Sequence, residues 1–190
     1  MTQNHLRLAI YFQKWAEELD ALPAAKGPLH GVPFCVKEDH DIEGMDATLG
    51  LSTNLQQPKK DTAVVVKILQ DAGGIPFCKT NLPQTTLSGS SENPIFGTTL
   101  NPLNKTLSPG GSSSGTACLV RASGSPFGLG SDIGGSLRIP AHMCGVATLR
   151  PTIRRISDIG IARILEDIAG CKLFKKIGIM NLKTSTRTMI

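Results

Sequence analysis

Aromatic residues, closely spaced cysteines and long apolar runs are scarce in this 190-residue chain, and each scarcity excludes a class of protein. Aromatics make up only 4% of the residues, so the stacking platforms that bind single-stranded nucleic acid are not expected. No apolar run approaches the roughly 18 residues that a membrane-spanning helix requires. No two cysteines have CxxC spacing, which argues against a zinc site, and no metal site is predicted.

The cysteines and the N-terminal region both indicate a reducing compartment. The five cysteines (Cys35, Cys78, Cys118, Cys144 and Cys171) are odd in number and lie mostly in apolar surroundings, which is typical of reduced core thiols. Charged residues interrupt the stretch from Leu6 to Leu22, so it lacks the apolar centre of a signal peptide. We therefore expect an intracellular protein, either cytoplasmic or peripherally associated with a membrane.

The composition is that of a globular chain with a basic end. Hydrophobic residues make up 40% and charged residues 18% of the sequence. The net charge of +5 comes from scattered Lys and Arg residues and from one basic cluster towards the C-terminus. The cluster consists of Arg154, Arg155, Lys172, Lys175, Lys176, Lys183 and Arg187. A solvated end accounts for it, and contact with an anionic membrane surface is the alternative.

Alternating helical and strand-like segments predict an α/β fold with a mixed sheet flanked by helices. Apolar residues at helical spacing predict an amphipathic helix over residues 5–21. A short buried strand follows over residues 31–37, where Pro33 indicates an edge strand or an irregular start. The later predicted segments are a helix over 62–72 with Asp61 as N-cap, a strand over 75–78, a helix over 116–122 and a strand over 126–130. This alternation is typical of a sheet with crossover connections.

Two glycine-rich turns carry serines in a pattern that suggests acyl transfer. The first serine turn, residues 108–115, contains Ser112, and the second serine turn, residues 132–136, ends at Ser136. In the second turn, two glycines allow the backbone N–H groups to approach a developing oxyanion, each contributing about 3–4 kcal/mol. The alternatives for the first turn are a plain linker or an anion-binding nest. A P-loop is excluded, because no Gly-Lys-Ser/Thr follows.

A serine nucleophile requires a base, and Lys37 is the best candidate. The four histidines are His5, His30, His40 and His142, and none lies in a recognisable Ser-His-Asp motif. A pair between His142 and Cys144 is disfavoured, because residues two apart do not face one another on a helix. Lys37 ends the apolar strand, where desolvation lowers a lysine pKa. Keeping it neutral at pH 7 requires about 4.6 kcal/mol. The alternative is a solvated lysine at a strand end.

These segments resemble the amidase signature family. The motifs concerned are Lys37, residues 110–115 and residues 132–136. Four further segments are similar to fatty-acid amide hydrolases in particular, namely residues 48–52, 81–84, 93–97 and 101–102. The resemblance covers roughly residues 28–157.

The resemblance implies a Ser-Ser-Lys triad that hydrolyses fatty-acid amides to free fatty acid and an amine or ammonia. Ser136 would be the nucleophile, Ser112 the proton-relaying serine, and Lys37 the base and later the acid. A cis peptide bond before Ser112 is also implied, as is the absence of any metal or organic cofactor. The implied oxyanion hole consists of Ile133, Gly134, Gly135 and Ser136. Thr86 stands at a substrate-lining position that is commonly methionine in these hydrolases.

The resemblance weakens after residues 150–152, and residues 158–169 are faintly similar to a later family helix. We therefore expect a partial amidase-signature fold with its C-terminal half missing, and an activity that is weak or lost. The predicted domains are a helical segment over 1–27, the signature core over 28–157 and a divergent basic tail over 158–190. The expected partner is a small lipid amide rather than a nucleic acid. Peripheral membrane contact and a homodimer are further expectations.

Two alternatives to this function stay open at the level of the sequence. The first keeps the chemistry and makes the chain the catalytic subunit of a tRNA-dependent amidotransferase, although Glu38 and residues 48–52 argue against it. The second is an inactive, truncated chain that pairs with full-length protomers.

Overall fold

The computed structural model of the chain describes residues 3–153, 155–162 and 176–181. The helices are α1 (Gln3–Asp20), α2 (Val64–Asp71), α3 (Ser114–Arg121) and α4 (Arg138–Cys144). The strands are β1 (Pro33–Lys37), β2 (Ile75–Thr80), β3 (Glu92–Asn93), β4 (Gly97–Thr98), β5 (Phe127–Asp132), β6 (Ala147–Leu149) and β7 (Lys176–Asn181). Among the residues in these ranges, no helix combines the length and apolarity needed to cross a membrane.

Five of the strands form one mixed sheet in the order β2-β1-β5-β7-β6. β1 pairs in parallel with β2 on one side and with β5 on the other. β7 pairs antiparallel with both β5 and β6, while β3 and β4 form a separate antiparallel pair. The predicted α/β fold with a mixed sheet is therefore confirmed.

Helices cover both faces of the sheet, because successive side chains of a strand point to opposite sides. On one face, β1 contributes Phe34 and Val36 to a core shared with α1 and α2. This core consists of Phe12, Phe34, Val36, Ile42, Met45, Ala63, Val65, Val66, Leu129 and Ile161. The core on the other face, shared with α3 and α4, consists of Cys35, Ala117, Val120, Leu137, Ala141, Cys144 and Val146. Parallel strands are stable when both of their faces are covered in this way.

β1 differs from its prediction in one respect. It is an inner strand with neighbours on both sides, so the prediction of an edge strand is wrong. Pro33 is tolerated because it is the first residue of the strand. The irregular start that the sequence offered as the alternative is present, since the register with β2 shifts between Phe34 and Cys35.

The start of α2 also differs from its prediction, because Ala63 rather than Asp61 occupies the N-cap position. The hydroxyl oxygen of Thr62 accepts a hydrogen bond from the N–H of Glu43 at 3.0 Å. The N–H of Ala63 donates to the carbonyl oxygen of Asp41 at 2.9 Å. These contacts bind residues 62 and 63 to the loop after β1, so the helix begins two residues later than predicted.

The C-terminal region contains a strand that the sequence patterns did not predict. Residues 176–181 form β7, which is inserted between β5 and β6. Gly178 pairs with Gly130, and Ile179 pairs with Leu129. Most of residues 158–169, the segment similar to a later family helix, lies outside the described residues, as do Cys171 and most of the basic cluster. The division at residues 27 and 157 stays a prediction.

The parallel strands place their last residues along one edge of the sheet. These residues are Lys37 in β1, Thr80 in β2 and Asp132 in β5. α3 begins at Ser114, within the last two residues of the first serine turn. Ligands of open α/β sheets bind at the carboxyl ends of the strands, so this edge is where a functional site is expected.

Candidate active site

A cavity of about 270 Å³ lies at this edge of the sheet. It is lined by Thr86, Ser112, Ile133, Gly134 and Ser136, all of which the sequence analysis selected. The other lining residues are Leu87, Ser88, Gly89, Gly111, Ser131 and Ile139. The structure therefore brings both predicted serines, the predicted substrate-lining threonine and most of the predicted oxyanion turn to one cavity. Their chemical roles stay predictions at this point.

Lys37 reaches the first serine turn from the end of β1. Its side chain is completely buried, with a relative exposure of 0%. Its Nζ donates hydrogen bonds of 2.8 Å to the Oγ of Ser112 and of 2.8 Å to the Oγ of Ser131. The alternative of a solvated lysine at a strand end is therefore wrong.

The first serine turn is held by close backbone packing. The peptide bond between Gly111 and Ser112 is cis, as the family resemblance implies. A Cβ atom on Gly111 would lie 2.5 Å from the carbonyl oxygen of Ser90, so only glycine fits there. The N–H of Ser113 donates to the carbonyl oxygen of Ser136 at 3.0 Å, which ties the first turn to the second.

Asp132 organises the second serine turn. Its buried carboxylate accepts hydrogen bonds from the N–H groups of Gly135 at 2.9 Å and Leu137 at 3.0 Å. Arg138 donates two more at 3.1 Å each, and the Nε of Arg150 donates one at 3.0 Å. Burial raises the pKa of Asp132, but the hydrogen bonds from Arg138 and from the N–H groups outweigh it and hold the pKa at about 2. The carboxylate therefore stays charged at neutral pH.

The two glycines of the second serine turn have different surroundings. Gly135 has a φ of +133°, and a Cβ atom there would lie 2.7 Å from the Cδ1 of Ile139. A Cβ atom on Gly134 would meet nothing within 4 Å, so its backbone is open to a ligand. The N–H of Gly135 is directed to Asp132, which does not favour the oxyanion role that the sequence predicted for it.

A carboxylate that the sequence analysis did not single out lies beside Lys37. The Oδ2 of Asp39 is 3.5 Å from the Nζ of Lys37 and accepts a hydrogen bond of 2.6 Å from the Oγ of Ser131. The Oδ1 of Asp39 is 2.7 Å from the Nδ1 of His40. All four side chains are buried. An adjacent carboxylate favours the charged ammonium, which opposes the desolvation considered from the sequence alone.

A second group of charged side chains, Glu38 and Lys79, lies near the end of β1. Glu38 accepts hydrogen bonds from the N–H groups of Thr48 and Leu49, the latter at 2.9 Å. Burial raises the pKa of Glu38, while the positive charge of Lys79 and the N–H of Thr48 lower it. Burial lowers the pKa of Lys79, and the negative charge of Glu38 opposes this shift. Glu38 therefore anchors the 48–50 loop instead of facing the cavity.

A metal site requires several ligating side chains close together. Within the described ranges, no set of three or more His, Cys, Asp or Glu side chains is arranged to bind a metal ion. The described cysteines are Cys35, Cys78, Cys118 and Cys144, and all four are free thiols.

Comparison with known proteins agrees with the resemblance seen in the sequence. Residues 9–186 match the family described as Amidase. The chain is 48% identical over 136 residues to fatty-acid amide hydrolase 1 of Sus scrofa, which covers 72% of this chain and 24% of that protein. The chain spans about a quarter of the length of the curated relatives it matches.

Solved structures give the same result for the fold. A structure of fatty acid amide hydrolase superimposes with a TM-score of 0.78 and 34% identity, over 94% of this chain and 30% of that one. The native peptide amidase from Stenotrophomonas maltophilia gives a TM-score of 0.75 and 30% identity, over 95% of this chain and 36% of that one. The predicted amidase-signature fold, matched over part of each longer chain, is thereby confirmed. Since the family match extends over most of its length, this chain belongs to the amidase family.

Proposed function

We propose that this chain carries the catalytic groups of an amide hydrolase and that its substrate is a fatty-acid amide. One observation supports the proposal above all others. The buried amine of Lys37 contacts the Oγ of Ser112 at 2.8 Å, on the wall of a cavity that Ser136 also lines. This arrangement supports our assignment of Lys37 as base, Ser112 as hydroxyl relay and Ser136 as nucleophile, the groups that acyl transfer requires.

In the proposed mechanism, Ser136 attacks the carbonyl carbon of the amide. Its proton passes to the Oγ of Ser112, whose own proton passes to the neutral amine of Lys37. The N–H groups of Ile133, Gly134 and Ser136 stabilise the oxyanion that forms. The C–N bond then breaks, and the proton returns from Lys37 through Ser112 to the leaving amine.

The acyl-enzyme on Ser136 is resolved by the same groups in reverse roles. Water loses a proton through Ser112 to Lys37 as it attacks the acyl carbon. The ester bond breaks, the free fatty acid leaves, and Ser136 recovers its proton. The proposed mechanism uses neither a metal nor an organic cofactor.

The cavity rim and the relatives support a lipid substrate. Leu87 and Ile139 line the cavity and are 57% and 38% exposed, so they present apolar surface to a ligand. The 48% identity to a fatty-acid amide hydrolase points in the same direction. Thr86 presents a shorter and more polar side chain to the cavity than the methionine common at that position.

Peripheral membrane contact is part of the same proposal, because a lipid amide partitions into membranes. The loop after β4 presents three leucines, Leu100, Leu103 and Leu107, each at least 50% exposed. Exposed apolar side chains so close in sequence are a feature of interaction surfaces. An intracellular location and a homodimer remain predictions.

Reaction with a fluorophosphonate tests the proposal directly. The unmodified chain should form a covalent adduct that mass spectrometry places on Ser136, and it should release fatty acid from oleamide. Ser136→Ala should lose both properties, whereas Ser52→Ala, at an exposed serine that does not line the cavity, should keep them. An adduct on Ser112 or Cys144 would contradict the assignment. A folded chain that forms no adduct would favour the inactive alternative, and copurification with a partner subunit would favour the amidotransferase.

A further inference from the structure

Lys37, Ser131, Asp39 and His40 form a continuous series of buried polar contacts. The Nζ of Lys37 is 2.8 Å from the Oγ of Ser131, which is 2.6 Å from the Oδ2 of Asp39. The other carboxylate oxygen of Asp39 is 2.7 Å from the Nδ1 of His40. The proposed mechanism uses Lys37 alone among these groups, so the other three have no role in it.

We propose that Asp39, supported by His40, is a positioning residue that directs the amine of Lys37 to Ser112 and sets the pH at which that amine can accept a proton. The inference rests on the proposed function and adds to it a carboxylate that does not touch the substrate.

The direction of the hydrogen bonds carries the first part of the inference. A hydroxyl group has a single proton to donate. The ionised carboxylate of Asp39 can only accept, so Ser131 donates its proton to Asp39 and must accept from Lys37. When Lys37 is neutral, its lone pair needs a donor. Of its two hydroxyl partners, Ser131 is committed to Asp39, and Ser112 is the one that can supply a proton. Asp39 thus selects the productive proton path.

The second part of the inference rests on the negative charge of Asp39. The Oδ2 of Asp39 is 3.5 Å from the Nζ of Lys37, and both side chains are 0% exposed. A buried negative charge at this distance stabilises the ammonium form, because the interaction is weakly screened. His40 contacts the other carboxylate oxygen at 2.7 Å and so holds Asp39 in this position. Asp39, held by His40, therefore sets the acid limb of the activity, which is the low-pH range where protonation of Lys37 abolishes turnover.

Charged groups on the neighbouring described elements surround this series. They are Glu38 and Asp41 on the segment after β1, Lys79 on β2, Lys59, and Asp132 with Arg138 and Arg150 at the end of β5. The negative charges of Glu38, Asp41 and Asp39, in decreasing order of effect, act on Lys79. The negative charge of Asp132 is compensated by ion pairs with its two arginines. Removing the charge of Asp39 is therefore the most direct way to change the field at Lys37.

Asp39→Asn is the central test, because asparagine keeps the shape and the acceptor oxygen but removes the charge. The measurement is kcat and KM for oleamide hydrolysis between pH 5 and pH 10. The acid limb should move to lower pH by about one unit or more, because Lys37 then loses its proton more easily. The maximal kcat should fall about tenfold, with little change in KM. A role in folding alone would lower the active fraction without moving the limb.

Ser131→Ala separates the hydrogen bond from the charge and is informative even if Asp39→Asn does not fold. It removes the link between Lys37 and Asp39 but leaves the carboxylate in place. We expect a lower kcat and an acid limb within about 0.3 units of the unmodified chain. Asp61→Asn, an exposed carboxylate, is the matched control and should change neither quantity.

The possible results separate this inference from the proposed function. An active chain whose acid limb stays in place in Asp39→Asn, or a Ser131→Ala chain with full kcat, would overturn the inference alone. An unmodified, folded chain that neither hydrolyses an amide nor reacts with a fluorophosphonate would overturn the proposed function, and the inference with it.

Discussion

The N–H of Ser113 donates a hydrogen bond of 3.0 Å to the carbonyl oxygen of Ser136, and this contact joins the two serine turns directly. The predicted relay and nucleophile are thus held by one main-chain bond as well as by the sheet. β5 packs against the same place, since a Cβ atom on Gly130 would lie 2.7 Å from the Oγ of Ser113. Catalysis by positioned groups depends on such fixed geometry.

Replacing Lys37 with methionine tests its role as a base. Methionine keeps an unbranched apolar side chain but removes the amine that donates to Ser112 and Ser131. We expect kcat for amide hydrolysis to fall about 10²- to 10⁴-fold, the usual contribution of a general acid–base group. KM should change little, because the amine acts on a transferred proton. Steady-state kinetics on the purified chain measures both values.

Lys67→Met is the matched control for that substitution. Lys67 lies on α2 with a side chain that is 52% exposed, so its loss should leave kcat unchanged. Full activity in Lys37→Met would contradict the assignment of the base. So would an equal loss of kcat in His142→Ala.

The charge of Asp132 should make stability depend on pH in the acid range. Its pKa in the folded chain is about 2, below the ordinary value of 3.8. Because the pKa of Asp132 is lower in the folded chain than in the unfolded chain, its ionised carboxylate stabilises the folded state fully above pH 3.8. This stabilisation is lost as the pH falls towards 2. The shift corresponds to roughly 2–3 kcal/mol at most. Arg138 is 51% exposed, so screening by solvent reduces that value.

Asp132→Asn measures this contribution. Its free energy of unfolding in urea should be lower at pH 7, and its decrease between pH 5 and pH 3 should be shallower than that of the unmodified chain. Asp61→Asn removes a carboxylate that is 87% exposed and should keep the original slope. Identical slopes for the unmodified chain and Asp132→Asn would show that the arginine contacts do not lower the pKa.

The elements that the sequence predicted are those with a local pattern. The helical spacing of residues 5–21 and the apolar runs of β1, β2 and β5 were sufficient, because local burial decides these elements. β7 was missed because lysines surround it and its pairing with β5 joins residues far apart in the chain. Asp61 was a wrong N-cap because the loop after β1 binds residues 62 and 63 first.

Prediction of the site was limited in the same way, to residues that carry a local sequence signal. Residue type, glycine-rich spacing and family resemblance selected Lys37, Ser112 and Ser136, which the structure places at one edge of the sheet. Asp39 and Ser131 carried no such signal, because their contact exists only once β1 and β5 lie side by side. The one sequence feature that could have indicated Asp39 was the run of polar residues directly after the buried strand β1.

Cys35 should resist alkylation in the folded chain. Its side chain is 0% exposed, and burial raises the pKa of its thiol to about 11. The thiolate is the reactive form, so at pH 8 only about one molecule in a thousand carries it. Iodoacetamide followed by peptide mass spectrometry should leave Cys35 unmodified until urea is added. Equal rates of modification with and without urea would mean that the strand is not buried.

Gly115→Ala sets helix propensity against packing in α3. Propensity alone favours alanine by about 1 kcal/mol. However, the new Cβ atom would lie 2.5 Å from the main-chain nitrogen of Asn81, and the bond of 3.0 Å from the N–H of Gly115 to the carbonyl oxygen of Asn81 keeps the two segments together. Overpacking of this kind costs about 1–3 kcal/mol, so packing should win and the urea midpoint should fall. Gly89→Ala is the control, because its Cβ atom meets nothing within 4 Å. A stabilised Gly115→Ala chain would show that α3 lies farther from Asn81 than described.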